Sequence, residues 1–172
     1  MASGYYYEGI TAPFVKLGVC YNVAVLLLQG DFKMSDREKS AADNIAKLKA
    51  GEATEPIAKF LNMKLAEMSP GYARVAMKLR PEHLNFNGMV FGGIVMAIAD
   101  QAFAYGTNSL VTPSIATQFN IHLISGAIVG DELIAECRVV RSGRRIGVSE
   151  MTVTNQDGKL IAKATGTTVV TG

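Results

Sequence analysis

The sequence has no tryptophan, two cysteines, two histidines and five prolines among 172 residues. Cys20 and Cys137 stand far apart, in neither a metal-ligand nor a redox spacing. They are expected to be free thiols in a reducing, cytoplasmic compartment. With only His83 and His122 beside them, a zinc site of His and Cys is poorly supplied, and no metal is expected. Charge is sparse too. Seventeen Lys and Arg against fifteen Asp and Glu leave a net +2, too little to point to nucleic acid or an anionic membrane surface. The one long apolar stretch, Met89 to Val111, lacks basic flanks and holds Asp100, a residue costly at a bilayer centre. It is not expected to span a membrane. There is no basic segment ahead of an apolar run to suggest a signal peptide, and no internal repeat or low-complexity linker.

What is present is an apolar chain, 49% hydrophobic, long enough to bury a sizeable core without disulfides or a structural metal. Residues 1–33, with Tyr5-Tyr6-Tyr7 and the apolar run Val23 to Leu28, read as a leader to a single domain over 34–172. Either Met34 is the natural start, to which the sequence leans, or the leader is a genuine extra segment. Ser35 with Glu38 forms a capping-box pattern ahead of a helix from Asp36 to about Lys49, with Gly51 as its stop. Thr54-Glu55-Pro56 opens a second helix carrying Ile57, Phe60 and Leu61. Strands follow at Met63–Glu67 and Tyr72–Leu79, around the turn Pro70-Gly71. The stretch from Glu82 to Gly93 is a loop. Ile94 to Tyr105 is a helix apolar nearly all round, which predicts burial, and Gly106 and Pro113 end it. Three or four strands close the chain, at about Ile115–Ile124, Glu132–Arg141, Ile146–Asn155 and Lys159–Val170. The last three are joined by hairpin turns at Ser142-Gly143 and Asp157-Gly158. The pattern is α+β: an antiparallel sheet wrapped around one long buried helix, preceded by short N-terminal helices.

Between Glu82 and Asp131, Asp100 is the only acidic or basic residue. A carboxylate on a buried helix is costly unless paired or hydrogen-bonded. Two readings follow: an interface Asp bonded to amides such as that of Gln101, or a general base or nucleophile in a pocket closed to bulk water. Gly92-Gly93, where the loop enters the helix, offers free N–H groups and the positive end of a helix dipole, suited to an oxygen gaining negative charge. A tight loop explains the same glycines. Asp100 lies seven residues past Gly93, about 10 Å along a helix, so one chain cannot set one against the other. Two copies with antiparallel helices can, which predicts a homodimer with two shared sites.

The stretch His83-Leu-Asn85-Phe-Asn-Gly88-Met-Val-Phe91-Gly92-Gly93, with Ala99-Asp100 and Ala102-Phe103-Ala104 after it, closely resembles the hotdog-fold acyl-CoA thioesterases of the phenylacetate-pathway (PaaI-like) type. The resemblance runs from about Ile57 to Val170. It takes in Gly130-Asp131-Glu132-Leu133, Arg141-Ser-Gly143-Arg144 and the strand after Asp157-Gly158-Lys159. It implies a hotdog fold and hydrolysis of acyl-CoA, with coenzyme A entering only as part of the substrate and no cofactor. It implies that Asp100 comes from the partner subunit as base or nucleophile. In the same way Gly92 N–H polarises the thioester carbonyl, and Asn85 positions the thioester or the water. His83 orders the loop, and Phe91, Gly93, Gln101 and Ala116 fall around the substrate. Arg141, Arg144 and Arg145 are candidates for CoA phosphates, or simply a solvated hairpin. The family is dimeric and often tetrameric.

Two departures stand out. Phe91 replaces the second histidine of the motif, and Ala116 stands where relatives often carry Ser. Gln118, two residues along the strand from Ala116, should share its face and could substitute. Phe86, Met89, Phe91, Met96, Phe103 and Tyr105 line an acyl pocket or belong to the core; a pocket of such residues favours a medium-chain or aryl acyl group. His122 reads as structural. The alternative function is a non-catalytic acyl-CoA binder or sensor. A hotdog dehydratase or hydratase would need a second acid–base group that the helix does not offer.

Overall fold

A computed structural model of the chain describes residues 36–171. The leader over 1–33, Cys20 and the cap at Ser35 lie outside the described residues. Helix α1 spans Asp36–Glu52, with Asp36 and Glu38 in its first turn and Lys49 in its last, matching the helix dipole. It runs through Gly51 rather than stopping there. The Gly51 carbonyl is still satisfied, because both the N–H and the hydroxyl of Thr54 donate to it at 3.0 Å. Helix α2, Pro56–Leu61, opens on the proline and ends at Asn62, whose left-handed conformation (φ 55) turns its N–H back onto Ala58 and Lys59.

Six strands follow the expected order: β1 Met63–Ser69, β2 Tyr72–Lys78, β3 Ser114–Leu123, β4 Glu132–Ser142, β5 Ile146–Thr154 and β6 Leu160–Val170. All neighbours are antiparallel, in the order β1-β2-β4-β5-β6-β3, so β1 and β3 are the edges. Side chains alternate. Ala73, Val75, Met77, Leu133, Ala135, Cys137, Met151, Val153, Ala162 and Ala164 are buried, while Arg74, Glu136, Arg138, Glu150 and Lys163 point the other way.

The buried face packs against helix α3, Gly92–Asn108, through Val95, Ile98, Ala99, Ala102 and Phe103. This helix begins two residues earlier than its sequence suggests and continues past Gly106. Gly106 is a packing residue, not a stop: a Cβ there would lie 2.7 Å from Cys137 Sγ. Burial pushes the Cys137 thiol up to about 12, so it stays neutral under the helix. Gly166 does the same for Phe103, whose ring would stand 2.5 Å from an added Cβ and which packs on Phe119 with centroids 5.8 Å apart. At the helix end the Asn108 carboxamide bonds to both Ser114 N–H (2.9 Å) and Ser114 C=O (3.1 Å), tying α3 to β3.

Helix α3 is not buried all round. Met96, Asp100 and Ala104, one turn apart, are exposed, and Asp100 lies at the centre of that stripe. No helix among the described residues is long and apolar enough to cross a membrane.

The close approach at Gly166 is testable. Gly166→Ala should destabilise the protein by about 1–3 kcal/mol, since Phe103 has no room to give. Adding Phe103→Leu should return part of that loss in urea unfolding. If Gly166→Ala proves neutral, the tight helix–sheet contact is not what the glycine is there for.

Candidate active site

The chain reaches α3 through a knotted loop. Pro81–His83 forms a short 3-10 turn, and Leu84 pairs with Val90 in an isolated bridge. Within it Asn85 N–H donates to Met89 C=O (2.7 Å), Gly88 N–H to Asn85 C=O (3.0 Å), and Phe91 N–H to His83 C=O (2.9 Å). Gly88 takes φ 73, which favours glycine. Asn85 Oδ1 accepts the N–H groups of Asn87 (2.9 Å) and Met89 (3.2 Å). Its oxygen is thereby committed to the loop, and its NH2 is the end left to donate.

Phe91 is the N-cap of α3, and Ile94 N–H donates to its carbonyl at 2.9 Å. The N–H groups of Gly92 and Gly93 have no acceptor among the described residues. An added Cβ at either glycine would need an exposed neighbouring side chain to move. A Cβ on Gly92 would meet Leu123 Cδ1 at 2.8 Å, and one on Gly93 would meet the Phe91 ring at 2.4 Å. Phe91 therefore lies across Gly93, and Gly92 faces a cleft.

That cleft, about 760 Å³, is lined by Leu84, Asn85, Met89, Val90, Gly92, Val95, Leu123 and the segment Ile124 to Val129. No charged side chain lines it. Its far wall is stapled at the base. Asp131 accepts from Ile128 N–H (3.1 Å) and Gln156 Nε2 (3.1 Å), and Lys159 Nζ donates to Gly126 C=O (2.7 Å). These bonds hold the Asp131 carboxyl below the usual carboxylate range. Sequence reading left this wall unassigned. Its signal was an apolar connection, Ile124 to Val129, where a polar loop is the norm.

Asp100 does not line the cleft. It lies eight residues from Gly92, about 12 Å along the helix. It is exposed in the single chain, with no cation or amide bonded to it among the described residues. Nearby apolar atoms still desolvate the carboxyl and raise its pKa above the ordinary value.

Several expected site residues fall elsewhere. Gln101 is buried on the other flank of α3, where its Nε2 donates to Glu55 Oε2 (2.9 Å) and Tyr105 OH donates to the same oxygen (2.5 Å). That network braces α2 against α3 and takes Gln101 away from Asp100. Phe103 and Tyr105 are core, whereas Phe86, Met89, Phe91 and Met96 are exposed. Ala116 pairs with buried Thr168, but a bulge follows and Gln118 pairs with Thr167. Neighbours on β6 face opposite ways, so Gln118 does not share the face of Ala116 and cannot replace a Ser there. Arg141, Arg144 and Arg145 are exposed at the β4–β5 hairpin, whose Ser142 and Gly143 pack near Thr107, at the far end of α3 from Gly92. His83 is buried and His122 is exposed beside Lys163. One chain thus joins Asn85 and Gly92 at an apolar cleft, with Phe91 and Gly93 beside them at the helix entrance, and leaves Asp100 and the arginines apart from it. Among the described residues no group of three His, Cys, Asp or Glu side chains could hold a metal ion.

Comparison with known proteins gives a consistent family. A family model described as Thioesterase superfamily matches residues 87–162. The acyl-coenzyme A thioesterase PaaI of Escherichia coli is 32% identical over 105 residues, 61% of this chain and 75% of that protein. The solved structure of E. coli PaaI, from the phenylacetic acid degradation operon, is similar with a TM-score of 0.71 at 28% identity, over 80% of this chain and 97% of that one. A Streptococcus mutans protein solved bound to acetyl CoA is similar at TM-score 0.63 and 31% identity, over 66% of this chain and 91% of that one.

The division of labour within Asn85 can be separated by substitution. Asn85→Asp keeps the acceptor for Asn87 and Met89 N–H and should leave stability within about 0.5 kcal/mol of the parent. Asn85→Ala loses both bonds and should cost about 1 kcal/mol in thermal or urea unfolding. Equal losses in the two variants would remove the loop-ordering role of the oxygen.

Proposed function

This chain belongs to the thioesterase superfamily and is a thioester hydrolase of hotdog fold, and on that premise we propose that it hydrolyses acyl-CoA at sites each completed by two copies of the chain. The observation that carries the proposal is the placement of Asp100. It stands between exposed Met96 and Ala104, beside half-buried Ala97, a helical rise of about 12 Å from the free Gly92 amide. Small and apolar side chains around it let a second α3 approach closely. An antiparallel second helix sets Asp100 of one copy opposite Gly92 of the other, and the apolar surface rejects isolation in water. The edge strand β3, with Ile115 and Leu123 more than half exposed, lies on the same flank.

In this reaction the thioester carbonyl oxygen lies against Gly92 N–H at the positive end of a 17-residue helix. The Asn85 amide holds the thioester or the water through its NH2. Asp100 of the second copy takes a proton from water as the water oxygen bonds to the carbonyl carbon. The tetrahedral oxyanion collapses, the C–S bond breaks, and the proton passes to the departing CoA sulfur. A carboxyl raised toward neutrality is the better base for this. The uncharged walls of the cleft favour a medium-chain or aryl acyl group over a charged short one. Arg141, Arg144 and Arg145 of the second copy reach toward the N-terminal end of the first α3 in this arrangement and take the CoA phosphates. Dimers pair further into a tetramer; the outer sheet face carries Glu136, Arg138, Glu150 and Lys163 and is electrostatically self-complementary. The enzyme acts in the cytoplasm, where the buried Cys137 thiol remains reduced.

A second reading, an acyl-CoA binder without turnover, is favoured by Phe91 and Ala116. It requires thermal stabilisation by acyl-CoA with no thiol release.

The shared site is tested by mixing variants. Asp100→Ala should lower kcat by about 10²–10⁴-fold, measured as thiol release from a panel of acyl-CoAs. Gly92→Pro removes the one N–H at a helix position that accepts proline, and once the exposed Leu123 side chain turns aside it should lower kcat by about 10²–10³-fold with the fold intact. Refolded together, the two dead variants should regain about a quarter of parental activity, because half the dimers carry one intact site. A mixture no better than its parents means that each site lies within one chain. The raised pKa of Asp100 also sets the sign of the pH response. Activity should fall as pH drops, with a midpoint above the usual carboxylate value of about 4, because protonated Asp100 cannot take a proton from water.

A further inference from the structure

The most anomalous polar group near the site is His83. Its imidazole is 96% buried by the 4% exposure of the residue, and its Nε2 has no hydrogen-bond partner. Its Nδ1 accepts Arg80 N–H at 3.3 Å, its own N–H donates to Arg80 C=O at 3.0 Å, and its carbonyl accepts Phe91 N–H at 2.9 Å. His83 is therefore the neck of the loop. The entry strand passes it at Arg80, and the exit passes it at Phe91, one residue before the Gly92 amide. Because Nδ1 accepts, a neutral ring must carry its proton on Nε2. That N–H, aimed into the interior, has no acceptor among the described residues.

We propose that His83 is a positioning residue of the thioester site, holding Phe91 and the Gly92 amide in place only as the neutral imidazole with its proton on Nε2. Protonation adds a hydrogen to Nδ1, so that two donors, Nδ1–H and Arg80 N–H, face each other. The bond between them is lost, the 3-10 turn loosens, and the His83 carbonyl no longer holds Phe91. Burial and, after it, the positive charge of Arg80 oppose protonation of the ring and Glu82 favours it; the first two prevail and hold the imidazole pKa below its ordinary value. The linkage has one sign. The neutral ring stabilises the fold fully above the ordinary imidazole pKa, and that contribution is lost as pH falls through the lowered pKa of the folded state. Loss of activity at acid pH then has two sources: Asp100, and the ordering of the loop by His83.

The role assigned to the loop rests on the thioesterase mechanism proposed above, but the loop's response to His83 can be read without it. The experiment is nitrogen NMR of the full chain with labelled histidine, alongside amide exchange at Phe91 across acid pH. Nδ1 should be unprotonated and Nε2 protonated at neutral pH. Phe91 protection should fall about tenfold, the scale of one lost backbone hydrogen bond, in step with His83 titration. His83→Asn keeps an acceptor near the Nδ1 position and cannot titrate. It should hold Phe91 protected at acid pH, and its kcat profile, relative to its own plateau, should show the shallower limb of Asp100 alone. His83→Gln, whose amide reaches the Nε2 position instead, should leave Phe91 unprotected at every pH. A proton on Nδ1, protection indifferent to His83 titration, or equal protection in the two variants overturns the inference. Absence of thiol release from any acyl-CoA, with the NMR pattern intact, overturns the proposed function instead.

Discussion

The structure depends on how closely α3 lies on its sheet. Gly106 against Cys137 and Gly166 against Phe103 remove side-chain bulk within one turn of the helix, on opposite partners. The helix sinks far enough for Ile98, Ala99 and Ala102 to be wholly buried. Once one flank is committed to the sheet and another to Glu55 through Gln101 and Tyr105, the third is fixed by the helical repeat. That third flank carries Asp100. The orientation of the one acidic residue in a long apolar stretch is therefore a consequence of core packing.

The same packing fixes where the helix begins. Its first residues sit beside Leu123 on β3, whose exposed side chain stands close to Gly92. The loop before them is closed by backbone bonds and by the Asn85 oxygen, so the free N–H groups are presented at a defined place. Preorganised donors of this kind need no reorganisation when charge develops, which is where their catalytic value lies. The spacing between those donors and Asp100 is set by the helix itself and cannot be shortened within one chain.

Much of this was legible in the sequence, and the failures have identifiable physical sources. The α+β order, the hairpin turns and nearly all strand ends follow from period-two alternation and turn residues. Asp100 and Gly92 stood out through composition and spacing, and Asn85 only through the resemblance. Burial of α3 on every side was overestimated, because hydrophobicity does not distinguish the surface facing the core from apolar side chains left exposed, such as Met96. Gly106 looked like a terminator because glycine's need for space is invisible until the opposing Cys137 is known. Gln118 was placed on the wrong face because a bulge shifts the alternation by one, and neither Ala116 nor Thr117 announces it. Gln101 was drawn to the site by adjacency; its partner, Glu55, lies 46 residues away.

The departures at Phe91 and Ala116 can now be weighed. A backbone N–H cannot be mutated away by changing a neighbouring side chain, so replacing a polar residue at 91 leaves the Gly92 donor where it was. What Phe91 changes is its surroundings: an apolar ring now lies across Gly93, where the motif carries an imidazole. Lower local polarity strengthens the interaction of an amide dipole with developing negative charge. The loss at Ala116 is not made up by Gln118, which faces away. The polar inventory of the proposed site therefore shrinks to one backbone amide, one carboxamide and one carboxylate. A thioester, whose thiolate leaves readily, is a substrate for which so small a set can suffice. It also means that the ordering of each of the three carries more of the chemistry than it would in a more richly furnished site.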